Sequence, residues 1–220
     1  MKRIRLFSIC LIILLGCETS GIDELQLVYD QDFEESLDIE WIGGNLFSFQ
    51  GSQVMGPFNQ GEFKLLLDSL PKHDVLLLSF DLLIHDSWDG NLEGLGGPDI
   101  WEIKVDRFDD EPPSTAVYQT TFSNGTCDAV RCLYQSYPNQ YPHRANPRAG
   151  SDLTASLPGR CVNALNGTGT SLYHMQVEFE HYSPLAVIQF KDYLKQTNAT
   201  SPSCDESWSM DNLKVYTIKY

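Results

Sequence analysis

Alternation of apolar and polar residues, repeated along the chain, is the feature that most restricts the fold. Between Val75 and His85, the side chains of Leu76, Leu78, Phe80, Leu82 and Ile84 fall on one face, while Asp81 and His85 fall on the other. Trp101, Ile103 and Val105 alternate with Glu102, Lys104 and Asp106, and Tyr173, Met175, Val177 and Phe179 alternate with His174, Gln176 and Glu178. Successive side chains of an extended strand point to opposite faces, so a period of two marks a strand with one dry and one wet face. Such segments occupy 25–34, 45–50, 62–68, 75–85, 100–108, 116–122, 172–181, 185–191 and 212–220, and helical periodicity is almost absent. About nine half-wet strands predict an all-β antiparallel β-sandwich, with an enclosed barrel as the alternative. A chain of 220 residues with 42% hydrophobic residues is long and apolar enough for one buried core.

Residues 123–171 break this rhythm. The stretch contains Cys127, Cys132 and Cys161, four prolines, and Tyr134, Tyr137 and Tyr141. Long loops in compact domains are functional or disordered, and the cysteines argue for order. Arg131, Arg144, Arg148 and Arg160 outnumber Asp128 and Asp152, so the loop is positive on an acidic chain.

The N-terminus carries an address. Met1–Arg5 is basic and Leu6–Leu15 is an apolar run too short to span a bilayer, which together make a signal-peptide layout. Leu14-Leu15-Gly16-Cys17 resembles the lipobox of bacterial lipoproteins. That resemblance implies a signal peptide over 1–16, lipidation of Cys17 as the mature N-terminus, a tether over 17–24 and one domain over 25–220. Glu18 is not the Asp that retains such proteins at the inner membrane in enteric bacteria, so the outer membrane is the expected location in the cell envelope. With Cys10 and Cys17 set aside, Cys127, Cys132, Cys161 and Cys204 remain in an oxidising setting. Two disulfides are expected, and three connectivities are open; Cys127–Cys132 with Cys161–Cys204 is preferred. A zinc site is the weaker alternative, since no C-x-x-C pair is present.

Charge narrows function further. Of 15 Lys+Arg, three lie in the first 16 residues, which hold no acid, so the remaining 204 residues carry 12 bases against 30 acids. Nucleic-acid binding through phosphate neutralisation needs the opposite balance and is excluded. The acids cluster. Between Asp81 and Glu111 there are ten, around Asp86-Ser87-Trp88-Asp89-Gly90-Asn91 and Gly97-Pro98-Asp99. Asp86, Asp89, Asn91 and Asp99 have the oxygen-donor character that calcium requires. The alternative is a solvated turn held by Asx hydrogen bonds.

Asp32-Phe33-Glu34, followed by Trp41 and a closing Asp211-Asn212-Leu213, resembles jelly-roll domains of the carbohydrate-binding-module and galactose-binding-like type. The run from Phe80-Asp81-Leu82 through Gln135-Ser136-Tyr137-Pro138 also resembles a domain of exported bacterial proteins. The first resemblance implies a jelly-roll sandwich with a structural calcium held between first and last strands, by Glu34 and Asp211, with Asp32 as a third candidate.

Sugar rings pack on aromatic side chains, and polar neighbours bind their hydroxyls. Trp88, Tyr137, Tyr141 and Arg144 are therefore candidate glycan contacts, within a wider aromatic set of Trp101, Trp208 and Tyr134. Motifs for nucleophilic, metalloprotease or nucleotide chemistry are missing. The expected protein is a lipid-anchored, calcium-stabilised module that binds a glycan without transforming it. The alternatives are a glycoside hydrolase or polysaccharide lyase on the same scaffold, and a structural protein that binds an envelope partner.

Overall fold

The computed structural model describes residues 21–37, 40–94, 97–106, 115–153, 157–161, 169–195 and 200–220. The signal segment and Cys17 lie outside the described residues, as do the last two residues of the expected strand 100–108. Among the described residues eleven strands run in the order β1 (Glu24–Gln31), β2 (Trp41–Ile42), β3 (Leu46–Phe49), β4 (Ser52–Phe58), β5 (Glu62–Leu67), β6 (Val75–Asp86), β7 (Ile100–Asp106), β8 (Thr115–Thr121), β9 (Thr170–Glu180), β10 (Ala186–Tyr193) and β11 (Glu206–Lys219). A single helical turn, α1 (Pro202–Asp205), precedes β11. One sheet has the order β3-β4-β11-β6-β9, with β1 also paired to β11; the other has the order β2-β5-β10-β7-β8. Every pairing is antiparallel. The two sheets form a sandwich, and the chain changes sheet at nearly every connection.

The alternating residues do what their period demands. Leu76, Leu78, Phe80, Leu82 and Ile84 of β6 are all buried between the sheets, against Trp101, Ile103 and Val105 of β7 and Ile188 and Phe190 of β10. Tyr173, Met175 and Val177 of β9 close the same core. Truncating one such side chain to Ala costs about 2–5 kcal/mol.

Two strands were hidden from the pattern, and one starts earlier than expected. β2 has only two residues. β4 contains Gly56-Pro57, residues that normally argue against a strand. Gly56 has a φ of +137°, and a Cβ there would stand 3.0 Å from the Trp208 carbonyl oxygen, so glycine permits the close approach of β4 to β11. β11 begins at Glu206 rather than 212, because Trp208 and Met210 point into the core while Ser207 and Ser209 are buried on the opposite face.

That second buried face corrects the expectation of a uniformly wet exterior. At the end of β6, Leu83 packs with Phe49 and Val54 in a small separate cluster, flanked by Phe47, Leu157 and Leu172. His85 joins it, accepting or donating at Ser209 Oγ (2.6 Å) and Thr170 Oγ1 (2.9 Å). Full burial lowers its pKa to about 3, so the imidazole is neutral in the fold.

The disulfides are Cys127–Cys132 and Cys161–Cys204, the preferred pairing, with sequence separations of 5 and 43 residues. Cross-linking removes loop-closure entropy from the unfolded chain in proportion to the logarithm of loop length, about 2 kcal/mol for the short bridge and about 4 kcal/mol for the long one. In urea denaturation, the double variant Cys161→Ser/Cys204→Ser should lose about twice the unfolding free energy lost by Cys127→Ser/Cys132→Ser. Equal losses, or the reverse order, would contradict the loop-entropy account.

Candidate functional site

The segment between β6 and β7 and the long connection between β8 and β9 meet at one end of the sandwich. Their junction is built around Asn91. Its backbone N–H donates to the Tyr134 carbonyl (2.8 Å) and its side-chain amide donates to the His143 carbonyl (2.5 Å). Its Oδ1 accepts from Thr121 Oγ1 (2.5 Å) and Ser136 Oγ (2.9 Å). Gly90 precedes it with a φ of +68°, and a Cβ there would lie 2.3 Å from the Tyr134 carbonyl oxygen, so only glycine fits.

A second buried amide orders the rest of the long connection. Gln135 is fully buried; its Oε1 accepts from the backbone of Ser123 (3.1 Å) and Arg148 (2.9 Å), and its Nε2 donates to the carbonyls of Tyr137 and Ala149 (both 3.0 Å). Asn124, also fully buried, ties the start of the connection to the carbonyls of Ile84 and Asp86. Hydrogen bonds of this kind leave no buried amide group wasted and give the connection one conformation.

The folded connection encloses a solvent-open depression of about 460 Å³, lined among others by Leu92, Glu93, Arg131, Tyr134, Tyr141 and Arg144. The Arg144 guanidinium lies 4.2 Å from the centre of the Tyr134 ring, a cation–π stack. Tyr141 and Arg144, two of the four expected glycan contacts, therefore come together. The other two do not. Trp88 is fully buried, with its indole N–H donated to the Ser207 carbonyl at 2.9 Å, and cannot meet a sugar. Trp101 and Trp208 are equally buried. Tyr137 packs its ring on Phe122 (5.2 Å) and Tyr173 (5.0 Å), and burial raises the pKa of its hydroxyl. It lines a different hollow, with Asp81 and His174.

The four oxygen donors expected around 86–99 are divided. Asn91 spends its amide on the loop. Asp86 points towards Gly159, where an added Cβ would lie 2.3 Å from its Oδ1. Burial raises its pKa to about 6, against the pull of the Arg160 guanidinium. Asp89 and Asp99 remain neighbours. Asp99 is fully buried, and its Oδ2 accepts from the backbone N–H of Asp89 (2.6 Å) and of Gly90 (3.1 Å), while its Oδ1 has no hydrogen-bond partner. Burial pushes its pKa to about 8, so Asp99 is mostly protonated at neutral pH.

The terminal acids fare differently. β11 bulges between Asp211 and Lys214, with Asn212 at a φ of +53°, a conformation Asn tolerates. At this bulge Asp211 lies within electrostatic reach of Asp81, Glu34 and Asp32, and burial together with those three charges raises its pKa to about 6. Glu34 accepts a hydrogen bond from Ser52 Oγ, and Asp81 is paired with His174 Nδ1 at 2.5 Å. Glu34 and Asp32 thus lie within electrostatic reach of Asp211, as does Asp81, which the β6–β11 register places opposite Asp211 and which was not anticipated. Among the described residues no three acidic, His or Cys side chains already stand at ligating distance of a common point.

The raised pKa of Asp99 has a signed consequence. Folding at pH 6–7 takes up a proton at Asp99, so its contribution to stability is present at low pH and is lost as pH rises from about 4 towards 8, at up to ~1.4 kcal/mol per pH unit. His85 works in the opposite sense, since a depressed pKa loses stability as pH falls below about 6.5. Comparing wild type with Asp99→Asn cancels the His85 contribution. The variant should gain in melting temperature relative to wild type as pH is raised from 5 to 8 in the presence of chelator; parallel curves would show that Asp99 titrates normally.

No protein-family model matches the chain, and no curated protein matches it. Among solved structures, the chain is similar to the K3 cleaved adhesin domain of Lys-gingipain from Porphyromonas gingivalis W83, at 10% identity over 86% of this chain and 98% of that one, with a TM-score of 0.43. It is also similar to a carbohydrate-binding module described for specific mannan recognition, at 12% identity over 88% of this chain and 98% of that one, with a TM-score of 0.39. At such scores the function is argued from the site alone.

Proposed function

We propose that the protein is a non-catalytic glycan-binding module, and that the depression beneath the long β8–β9 connection is its binding surface. The observation that carries this is the union, in one solvent-open hollow, of Tyr134, Tyr141, Leu92 and Arg144 over a floor already fixed by Asn91. Aromatic faces for pyranose C–H groups, charged donors for hydroxyls and a preformed backbone are what a sugar site requires, because a floor that does not reorganise on binding lowers the entropic cost of association. Asn91 and Gln135 position this surface without needing to touch a ligand.

Calcium belongs to the proposal as a stabiliser. Asp32, Glu34, Asp81 and Asp211 supply only oxygen donors, the set a hard cation prefers, and the repulsion that the other three exert on Asp211 is what a bound cation would relieve. The proposal also includes attachment to a cell-envelope membrane through lipidated Cys17, outside the described residues.

A glycan panel probed with and without calcium is the decisive experiment. Wild type should retain one class of glycan and release no product, and Tyr134→Ala and Tyr141→Ala should each weaken retention about tenfold, as expected for loss of roughly 1.4 kcal/mol of stacking. Calcium at a hundredfold excess over its dissociation constant should stabilise wild type by ~2.7 kcal/mol but leave the Glu34→Gln/Asp211→Asn variant unchanged. Undiminished retention by both tyrosine variants removes the depression from consideration; no thermal shift with calcium removes the cation. Labelled palmitate should enter wild type and not Cys17→Ala, and equal labelling of the two would sink the anchor.

A further inference from the structure

We infer that the depression selects an anionic sugar, a uronic acid or a sulfated residue within a glycan, through Arg131 and Arg144; this rests on the glycan-binding reading above. The chain as a whole carries 30 acids against 15 Lys+Arg, yet two guanidinium groups line this one hollow, and Glu93 is the sole acid among the described residues lining it. Both arginines are exposed, and among the described residues neither stands within 4.0 Å of a carboxylate, although Arg131 lies within electrostatic reach of Asp89 and Asp128.

The geometry gives each a defined place. Arg144 places its guanidinium over the Tyr134 ring while its side chain stays exposed, so its N–H groups can donate to a ligand in the hollow. Those groups form a planar fork that matches two oxygens of a carboxylate or sulfate at once. Tyr134 is itself held, because its carbonyl accepts from the Asn91 N–H. Arg131 stands on a turn closed by the Cys127–Cys132 bridge, where Asp128 Oδ1 accepts from the N–H of Val130 (2.7 Å) and Arg131 (2.8 Å). The main chain of Arg131 is thus pinned while its side chain reaches solvent. Leu92 and Tyr141 add apolar surface that a bare inorganic anion would leave unused, and a hollow of about 460 Å³ lies within the ~300–1,000 Å³ range of small-ligand sites. The surrounding negative charge disfavours a densely charged polyanion such as nucleic acid, so local charge complementarity points to a sugar bearing an isolated acidic group.

The test uses short oligosaccharides paired by charge: trigalacturonate against its fully methyl-esterified form, and a singly sulfated keratan-type tetrasaccharide, which has no uronic acid, against its desulfated form, titrated calorimetrically. An acidic form should bind about tenfold or more tightly than its neutral counterpart, Arg131→Ala and Arg144→Ala should each weaken binding of the acidic form about tenfold, and Arg144→Lys should fall between wild type and Arg144→Ala. Raised salt should weaken the acidic form only. Which of the two glycan pairs shows the preference distinguishes carboxylate from sulfate. Equal affinity for charged and neutral forms, unaffected by the arginine variants, overturns the anionic preference while the glycan-binding reading stands. Failure of every acidic and neutral glycan to bind overturns both. Unchanged melting temperatures of the variants exclude misfolding as the cause.

Discussion

The antiparallel pairing of β11 with β6 is the constraint on which the other parts of the molecule depend. It runs from Glu206 opposite Asp86 to Ile218 opposite Val75, interrupted only by the bulge after Asp211. The free edge of β11 is then shared, by β4 near Trp208 and Met210 and by β1 from Leu213 onward. Because β1 and β4 take different halves of one strand, the chain must leave the sheet between them, and it does so where Asp32 and Glu34 approach the bulge. The same strand links the two sheets: the Trp208 indole N–H donates to Asp192 of β10 at 2.7 Å, and Asp192 also receives the N–H groups of Gln60 (2.7 Å) and Gly61 (2.9 Å). A buried carboxylate is costly unless so well supplied with donors. Asp192 retains a raised pKa even so.

Much of this was legible in the residue order, and the exceptions have common causes. The inward faces of β6, β7 and β9 could be read because a period of two survives wherever one sheet face is wet. β4 could not, since its Gly56-Pro57 serves a close strand approach that only the partner strand explains. Ser207, Ser209 and His85 resemble exposed residues in sequence, but they become buried because Phe49, Val54 and Leu157 arrive from elsewhere in the chain. That four cysteines form two bridges followed from redox setting and parity, whereas the pairing was a preference among three connectivities that only the fold settles.

The site was legible only in part, for a related reason. That the long connection would be ordered, and a candidate site, followed from its cysteines, length, tyrosines and positive charge. Its organising residues, Asn91 and Gln135, are ordinary amides in sequence. Asn91 acquires its role through Ser136 and His143, respectively 45 and 52 residues away. Trp88 misled for the converse reason. Its neighbours are polar and it sits in a turn-like run, but its ring turns inward against Phe122 (6.2 Å) and reports the core rather than the surface. The acidic blocks likewise separated by destination, with Asp86, Asp99, Glu102 and Asp106 buried and Asp32, Glu34 and Asp81 within electrostatic reach of Asp211 at the bulge.

The hub at Asn91 has an evolutionary corollary. Support for the hollow comes from main-chain groups and from buried amides beneath it, whereas Glu93, Arg131 and Arg144 on the rim are exposed and contribute nothing to the core. Substitutions at these three positions therefore change the chemistry presented at the hollow with little effect on folding. On the proposed function, descendants of this scaffold can drift from one ligand to another by exchanging rim side chains, while the Gly90-Asn91 pair is held in place by the backbone it supports.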